Sequence, residues 1–336
     1  PESHAASFAL LAYVSSWIKR HHPDAFLTAL LNSQPMGFYA PAQLVRDARA
    51  HGVEVRPVDV HASGCEAALE GAGEGVGEGE DRGDGQGEGR GEGGALLAVR
   101  LGFNQVSGLG ADAAARIASA RDAGPFADAE DLARRASLDA RELQMLAQAD
   151  ALHGLAGHRH NAAWAVAGID TRPTPLLRAT RTREAAAAQL AAPSEAEAML
   201  ADYRALGLSL SQHPLALLRD ELAAFRIQPA AVLRGYPNGR LARASGLVTH
   251  RQRPETAKGT VFVTLEDETG AVNVIVWPRV AEKQRRALLA STLLTVYGTW
   301  QREGEGERAV MHLVAARLVD HSALLQGLVA RSRNFR

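Results

Sequence analysis

The chain contains one cysteine, few aromatic side chains and no long apolar run. The single thiol, Cys65, excludes a disulfide framework and a cysteine-based zinc site. Aromatic residues make up 5% of the 336 residues, so leucine, valine and alanine must supply most core contacts. No apolar stretch approaches the roughly 18 residues that a membrane-spanning helix needs, and no secretory signal is present. We therefore expect a soluble, cytoplasmic protein without a membrane partner.

The formal net charge of −1 conceals an uneven distribution of charge along the chain. Residues 71–94 carry seven acidic and two basic side chains, whereas residues 236–336 carry 15 basic and nine acidic ones. A local excess of +6 favours a polyanionic partner for the last third of the chain. The length exceeds that of one ordinary domain, so we expect an α+β, multi-domain protein.

The first 70 residues predict three helices and a short strand. Apolar residues spaced three and four apart predict an amphipathic helix that enters directly after Pro1 and ends before Pro23. Because the chain enters so abruptly into this helix, we expect it to be a fragment of a longer protein. Residues 71–94 contain 12 glycines and one aliphatic side chain, a composition typical of a flexible linker.

A candidate DNA-binding turn lies within a helical region that we assign to residues 95–168. Gly108-Leu109-Gly110 stands between two apolar segments and precedes a helical stripe over residues 111–121. Two glycines permit a tight turn that leaves amide N–H groups free to meet a phosphate. The pattern predicts a helix-hairpin-helix that holds DNA without reading bases, with Arg116 as an added cation. A plain turn between two helices is the alternative.

The last hundred residues change from a helical period to a period of two. Five strands are predicted, over 240–249, 261–265, 272–277, 293–300 and 309–319, with a helix over 281–289. A helix between the third and fourth of five short strands is typical of an OB β-barrel. We assign this barrel to residues 236–336 and a helical connector to residues 169–235.

Cations and aromatics cluster in the predicted barrel. Arg251, Arg253 and Lys258 are expected in the loop between its first two strands, a loop with which such barrels hold single strands. If the alternating valines fill the barrel, Phe262 and Trp277 point outward as platforms on which bases could stack. The alternative is that one or both aromatics pack under a neighbouring helix.

The sequence contains no candidate catalytic or metal site. Its 12 histidines lack carboxylate or thiol neighbours at ligand spacing, and no phosphate-binding loop or Ser-His-Asp order is present. The acids 266–268 are expected to be solvated turn residues. We therefore expect no cofactor in this chain.

Four stretches resemble the C-terminal part of bacterial C-family DNA polymerases. Residues 1–23 resemble the end of the fingers domain, 97–121 its helix-hairpin-helix, 206–215 the connector and 246–277 the OB core. Within that family, residues 30–39, 264–270 and 331–336 are similar to the error-prone, damage-induced branch.

The resemblance implies a fingers end over residues 1–70 and a role in holding template-primer DNA during translesion synthesis. The family's catalytic carboxylates, which bind two Mg²⁺ ions, belong to a palm domain that this sequence lacks, so no activity is expected from the chain alone. Residues 170–200 contain no acceptable sliding-clamp peptide, and the resemblance implies that an accessory error-prone polymerase subunit supplies clamp contact. A protein-interaction module that docks such a subunit, with DNA contact incidental, is the alternative.

Overall fold

The chain folds into two compact units, as described by a computed structural model. The structure describes residues 2–36, 39–71, 95–171, 190–304, 306, 309–325 and 333–335. One unit comprises Pro1–Ser194 with Ala205–Leu210, and the other Glu195–Arg204 with Ser211–Arg336. Apart from Gly71, the expected linker lies outside the described residues. Within the described ranges, no helix has the length and apolarity that crossing a bilayer would require.

The first unit is a helical array around a three-stranded sheet. Its elements are α1 (Glu2–His21), α2 (Pro23–Asn32), α3 (Pro41–Ala50), β1 (Val55–Arg56), β2 (Ala68–Glu70), β3 (Ala98–Arg100), α4 (Ala111–Asp122), α5 (Ala129–Arg135), α6 (Ala140–Gln148), α7 (His153–Ala156) and α8 (Arg159–Ala167). Strand β3 pairs in parallel with β1 and antiparallel with β2. Because β1 and β2 precede residues 71–94 and β3 follows them, the boundary predicted there does not divide the core.

A buried carboxylate strengthens this connection between the two sides of residues 71–94. Asp24 is fully buried at the start of α2, and its two oxygens accept the backbone N–H groups of Ala25 and Leu97, both at 2.9 Å. A carboxylate at a helix N-terminus also complements the positive end of the helix dipole. Apolar side chains from before and after the segment, such as Leu27 and Val99, then pack in one cluster.

Helix α1 forms where the apolar spacing predicts it, but the stripe that suggested it is exposed. Phe8 and Trp17 retain 57% and 47% of their accessible surface in the described structure. An ion pair of 2.8 Å between Lys19 and Asp47 joins the end of α1 to α3. The helix is thus attached to this unit by its last turns rather than by its apolar face.

The second unit is built around a closed barrel. Its elements are α9 (Glu195–Leu206, which reaches into the first unit's range), α10 (Pro214–Leu217), α11 (Arg219–Ala224), α12 (Ala230–Arg234), β4 (Leu241–Gln252), β5 (Val261–Asp267), β6 (Gly270–Val276), α13 (Pro278–Lys283), α14 (Arg285–Ala290), β7 (Leu293–Glu303), β8 (Val310–Asp320) and β9 (Arg333–Phe335). Strands pair in the cyclic order β4-β5-β6-β8-β7-β4, with only β6 and β8 parallel. The predicted five-stranded OB barrel is confirmed, with its helical segment between β6 and β7 divided into two short helices.

Two glycines allow the barrel to close. A side chain at Gly298 would overlap the carbonyl oxygen of Val314 on β8, and one at Gly246 would lie 2.6 Å from the backbone nitrogen of Glu266 on β5. Strand β4 also carries a bulge between Val248 and His250, which adds local twist. Close strand approach and extra twist bend the sheet enough to join β4 to both β5 and β7.

The acids at the β5–β6 turn are structural, contrary to the expectation that they are solvated. Asp267 is 3% exposed, and its carboxylate accepts hydrogen bonds from the backbone of Ala230, the backbone and hydroxyl of Thr269 and the backbone of Gly270 at 2.7–3.0 Å. Glu268 forms a bidentate pair with Arg219. These bonds hold α11 and α12 against the turn.

Candidate nucleic-acid interface

The predicted turn at Gly108-Leu109-Gly110 presents its backbone to solvent. A short 3₁₀ segment, Phe103–Gln105, precedes it, and α4 begins directly after it. Gly108 has a φ of +84°, which only glycine adopts readily. Leu109 is half-buried against the core and anchors the turn, whereas both glycines are exposed. The side chain of Leu109 therefore fixes the turn to the core, while the backbone at the two glycines is exposed to solvent.

The N-terminus of α4 adds free donors to this turn. The first bond of the helix runs from the nitrogen of Ala114 to the carbonyl oxygen of Gly110 at 3.1 Å, so the amides of residues 111–113 have no partner within the helix. A Cβ placed on Gly110 would meet nothing within 4 Å, which shows that this side is open. Ala111 and Asp112 are exposed and Ala113 is buried, so the amides of residues 111 and 112 are the ones at the positive end of this twelve-residue helix that suit a phosphate group.

Arg116 does not face this opening, contrary to expectation. Its guanidinium donates to Asp112 at 3.0 Å, to the carbonyl oxygens of Ala136 and Ser137 at 2.6 and 2.5 Å, and to Glu142 at 2.7 Å. Through these four hydrogen bonds, Arg116 fixes α4 to the connection between α5 and α6. Its contribution to the turn is structural.

Arg141 is the cation that the sequence analysis missed at this turn. Its Nη2 atom lies 3.9 Å from the position that a Cβ on Gly108 would occupy. The side chain is exposed and, in the part of the chain that the structure describes, pairs with no carboxylate. Arg141 follows the helix cap Asp139 by two residues, and nothing in that local sequence indicates proximity to residue 108.

In the barrel, the two predicted platforms lie on the outer face. Val263 and Val274 are buried inside, whereas Phe262 is 37% exposed and pairs across the sheet with Ile275. Trp277 is 53% exposed at the residue that precedes α13. Both aromatics thus keep solvent-facing surface of the kind on which bases stack.

Arg251 occupies a strand rather than the predicted loop. Strand β4 continues to Gln252, and Arg251 is only 5% exposed. Its Nε donates to the carbonyl oxygen of Leu288 at 2.7 Å, and its Nη2 donates to that of Ser291. Burial lowers the pKa of this guanidinium, and the negative charge of Asp320 offsets part of that shift. The side chain caps the end of α14, so its predicted place among solvent-facing cations is corrected.

Arg253 and Lys258 do lie in the loop, and they border a wide groove. The groove has a volume of about 890 Å³ between the β4–β5 loop and helices α13 and α14. Both side chains are exposed, as is Arg285 on the opposite wall, a residue that the sequence analysis did not nominate. Glu255 and Glu282 also line it, so the groove is mixed in charge with a cationic excess.

The described residues contain no group of three or more His, Cys, Asp or Glu side chains that could hold a metal ion. Two of the histidines that stand close together in the sequence make hydrogen bonds to the backbone instead, His160 with the carbonyl oxygen of Ala191 at 2.8 Å and His158 within its own helix. Nδ1 of His158 accepts the backbone N–H of Asn161 as a helix cap at 3.3 Å.

Two family models match the two candidate regions. Residues 52–162 match a helix-hairpin-helix motif, and residues 242–317 match an OB-fold nucleic acid binding domain. Over 335 residues, the chain is 57% identical to an error-prone DNA polymerase of Azoarcus sp. (strain BH72), covering 100% of this chain and 30% of that protein. The resemblance to error-prone DNA polymerases is confirmed over the whole chain.

Other relatives agree. Identity is 56% over 340 residues to the error-prone DNA polymerase of Bordetella parapertussis, and 53% over 335 residues to that of Methylococcus capsulatus. All of this chain aligns in both cases, against 30% and 31% of the relatives. The chain thus spans under a third of the length of the curated relatives it matches.

Proposed function

We propose that this chain is the C-terminal, DNA-holding part of an error-prone DNA polymerase. In this proposal the hairpin grips the backbone of duplex DNA and the barrel grips the single-stranded template. The observation that carries it is the 57% identity over the whole chain to a protein of that name, together with the two matched nucleic-acid-binding modules. The parent protein would be a cytoplasmic nucleotidyltransferase that acts in damage-induced mutagenesis, translesion synthesis and repair.

At the hairpin, the bare backbone is the binding group. Gly108 and Gly110 let a phosphate approach the amides of residues 111 and 112, and Arg141 supplies a positive charge beside them. Such contacts touch phosphate oxygens only, so binding would be independent of sequence. A polymerase that moves along its template requires that independence.

At the barrel, side chains are the binding groups. Arg253 and Lys258 attract the phosphates of a single strand, and Phe262 and Trp277 offer ring faces to its bases. Stacking tolerates every base because each has a π-face. The barrel would therefore hold undamaged and altered template bases alike.

Nucleotide transfer would take place elsewhere in the parent protein. The two Mg²⁺ ions of this chemistry need clustered carboxylates, and the described residues provide no such cluster. We assign the carboxylates to a palm domain outside this chain. An accessory polymerase subunit would contribute the contact with the sliding clamp.

Salt-dependent binding of the whole 336-residue chain tests the proposal. Affinity for labelled oligothymidylate should fall with salt with a log–log slope of about −0.7 per neutralised phosphate. The double variant Arg253→Ala/Lys258→Ala should reduce the magnitude of that slope by about 1 to 1.5. Fluorescence anisotropy between about 50 and 200 mM salt measures both quantities.

The matched control is Arg226→Ala, which removes an exposed cation of the same unit outside the groove. It should bind like the unmodified chain. A flat salt response of the unmodified chain, or equal slopes for the double variant and the control, would contradict the proposed role of the barrel. Capture of an accessory polymerase subunit by a chain with such a flat response would favour the interaction-module alternative.

A further inference from the structure

The outer face of strands β4, β7 and β8 lies on a different side of the barrel from the two aromatic platforms. Arg243 pairs directly with Tyr297, and Tyr297 pairs directly with Arg317, so the three side chains form one row across three strands. Val296, the neighbour of Tyr297, lies in the barrel core, and alternation along the strand therefore turns Tyr297 outward. These three residues are called the arginine row below.

Stacking holds the arginine row together. The guanidinium carbons of Arg243 and Arg317 lie over the ring of Tyr297, 5.2 and 5.6 Å from its centroid. A guanidinium that stacks on an aromatic ring keeps the N–H groups on its edge free to donate. Because two guanidiniums already lie over this ring, the row suits phosphate oxygens better than bases.

Most hydrogen-bond donors of the arginine row are unused. Arg317 is exposed and forms no hydrogen bond or ion pair with another described residue. Arg243 is half-buried, and its Nη1 atom donates to the carbonyl oxygen of Phe225 at 2.8 Å. A guanidinium has five N–H groups, so both arginines retain donors for an anion.

The acids of these three strands lie at the strand ends. Glu303 is the last residue of β7 and Asp320 the last residue of β8, and β4 contains no acid. Glu303 is six residues from Tyr297 along β7, a distance of roughly 20 Å. The carboxylate of Asp320 accepts the backbone N–H and the hydroxyl of Ser322 at 3.0 and 2.5 Å. The middle of this face is therefore positively charged and attracts anions.

Gln284 connects the arginine row to the cationic groove. Its Oε1 atom accepts the backbone N–H of Leu318 at 2.8 Å, and its Nε2 atom lies 3.5 Å from the carbonyl oxygen of Ala316. Gln284 thus contacts the backbone on both sides of Arg317. The next residue in the chain, Arg285, lines the groove. The row and the groove are therefore neighbours across the start of α14.

The segment between them carries further positive charge. Lys283, the last residue of α13, and Arg286 on α14 are both exposed. Neither pairs with a carboxylate in the described ranges. The sequence has no acid from residue 283 to residue 302. Exposed cations thus continue from the groove to the arginine row.

We infer that a single strand held in the groove continues over the start of α14 onto the arginine row, which binds the phosphates of its backbone. Arg317 and Arg243 each contact a phosphate, and Tyr297 keeps the two guanidiniums in position. Continuity with the groove favours a nucleic-acid strand over an acidic protein segment as the occupant. This inference rests on the proposed function, because it needs a strand in the groove.

A length series tests the inference on the whole 336-residue chain. Labelled oligothymidylates of about four to sixteen nucleotides cover the range of site sizes of one OB fold. Arg317→Ala should leave the affinity for the shortest oligonucleotides unchanged, because they fill the groove without reaching the row. For the longest ones it should reduce the magnitude of the log–log salt slope by about 0.7, the value for one phosphate. Fluorescence anisotropy measures both quantities.

Three more variants separate charge from folding. Arg317→Lys keeps the positive charge and should retain the salt slope of the unmodified chain. Arg243→Gln should act like Arg317→Ala, and its urea midpoint shows whether the lost bond to Phe225 affects folding. Arg204→Ala removes an exposed cation of α9 and is the matched control, which should behave like the unmodified chain at every length.

The outcomes distinguish this inference from the proposed function. If salt-dependent binding persists but Arg317→Ala matches Arg204→Ala at every length, the row binds no phosphate and the inference fails alone. An equal reduction of the slope at all lengths, or a reduction for duplex DNA but not for single strands, would also overturn it. If the unmodified chain does not bind oligothymidylate at low salt, the proposed function fails and the inference fails with it.

Discussion

The hairpin and the barrel present nucleic-acid-binding groups in opposite ways. At the hairpin the groups are backbone amides exposed by Gly108 and Gly110, whereas at the barrel they are side chains such as Arg253 and Phe262. Both regions nevertheless share one feature: the most obvious arginine in the sequence is used internally. Arg116 and Arg251 each donate to two main-chain carbonyl groups of neighbouring segments.

This comparison shows that an arginine near a binding motif can be a structural residue. A guanidinium has five N–H donors and no acceptor, so it suits the unpaired carbonyl groups that occur where helices and turns end. Arg141 at the hairpin, and Arg253, Lys258 and Arg285 at the groove of the barrel, are exposed cations that remain available to phosphate. Paired substitutions can separate the structural arginines from the cations that are available to phosphate.

The largest expected effect is on the stability of the barrel. Arg251→Ala should lower the free energy of unfolding by about 2–4 kcal/mol, because it leaves the buried carbonyl groups of Leu288 and Ser291 unpaired and opens a cavity. Arg253→Ala should change stability by less than about 0.5 kcal/mol. Urea denaturation of both variants measures the difference, and equal stability would show that Arg251 is not structural.

At the hairpin, the corresponding pair is Arg116→Ala and Arg141→Ala. Loss of four hydrogen bonds at Arg116 should cost about 1–3 kcal/mol of stability. Arg141→Ala should leave the unfolding midpoint unchanged and reduce the magnitude of the salt slope for duplex DNA by about 0.9. If the salt dependence of duplex affinity is the same for Arg141→Ala as for the unmodified chain, Arg141 does not contact phosphate and the contrast with Arg116 is wrong.

The two glycines of the hairpin also divide into a structural residue, Gly108, and a residue exposed to the ligand, Gly110. Gly108→Ala should cost about 1 kcal/mol of stability, since φ is +84° and the new methyl group would lie 3.2 Å from the sulfur of Met145. Gly110→Ala meets nothing within 4 Å at an ordinary φ of −76°, so the fold should tolerate it while the methyl group hinders the approaching phosphate.

Thermal melts and duplex-binding assays check this pair. Gly168→Ala is the matched control, because a methyl group there would make only an ordinary contact at 3.7 Å at the end of a different helix. Unchanged duplex affinity of Gly110→Ala would argue against a phosphate at the hairpin.

The smallest expected effect is a pH dependence confined to the barrel. Burial lowers the pKa of His321 below its ordinary value of 6.5, although the charge of Asp320 opposes that shift. The unfolded chain therefore binds a proton at higher pH than the folded chain does. Stability is fully present above the ordinary pKa and should decline slightly as pH falls from about 7 to 5.5.

His321→Asn should flatten this decline, whereas His4→Asn, at an exposed position, should not. Urea midpoints across the pH range provide the measurement. A decline that is as steep in His321→Asn as in the unmodified chain would assign the pH dependence to other groups.

The fold was more predictable than the sites. A sequence period of two placed all five barrel strands within a few residues of their observed bounds, because a strand with one buried face must repeat every two residues. The most consequential error was the end of β4, which continues to Gln252 rather than stopping at residue 249. Those three residues moved Arg251 from the loop into a strand.

The sequence by itself determined the barrel, the glycine turn and the helices, since alternation, glycine spacing and apolar periodicity are local properties of the chain. Tertiary structure decided which arginines remain exposed, how β3 joins β1 and β2 into one sheet, and that the apolar stripe of α1 is uncovered in the described residues. The physical reason is that burial and hydrogen-bond partners depend on segments far apart in sequence. Arg251 meets the carbonyl group of Leu288, 37 residues away, and no local pattern records that distance.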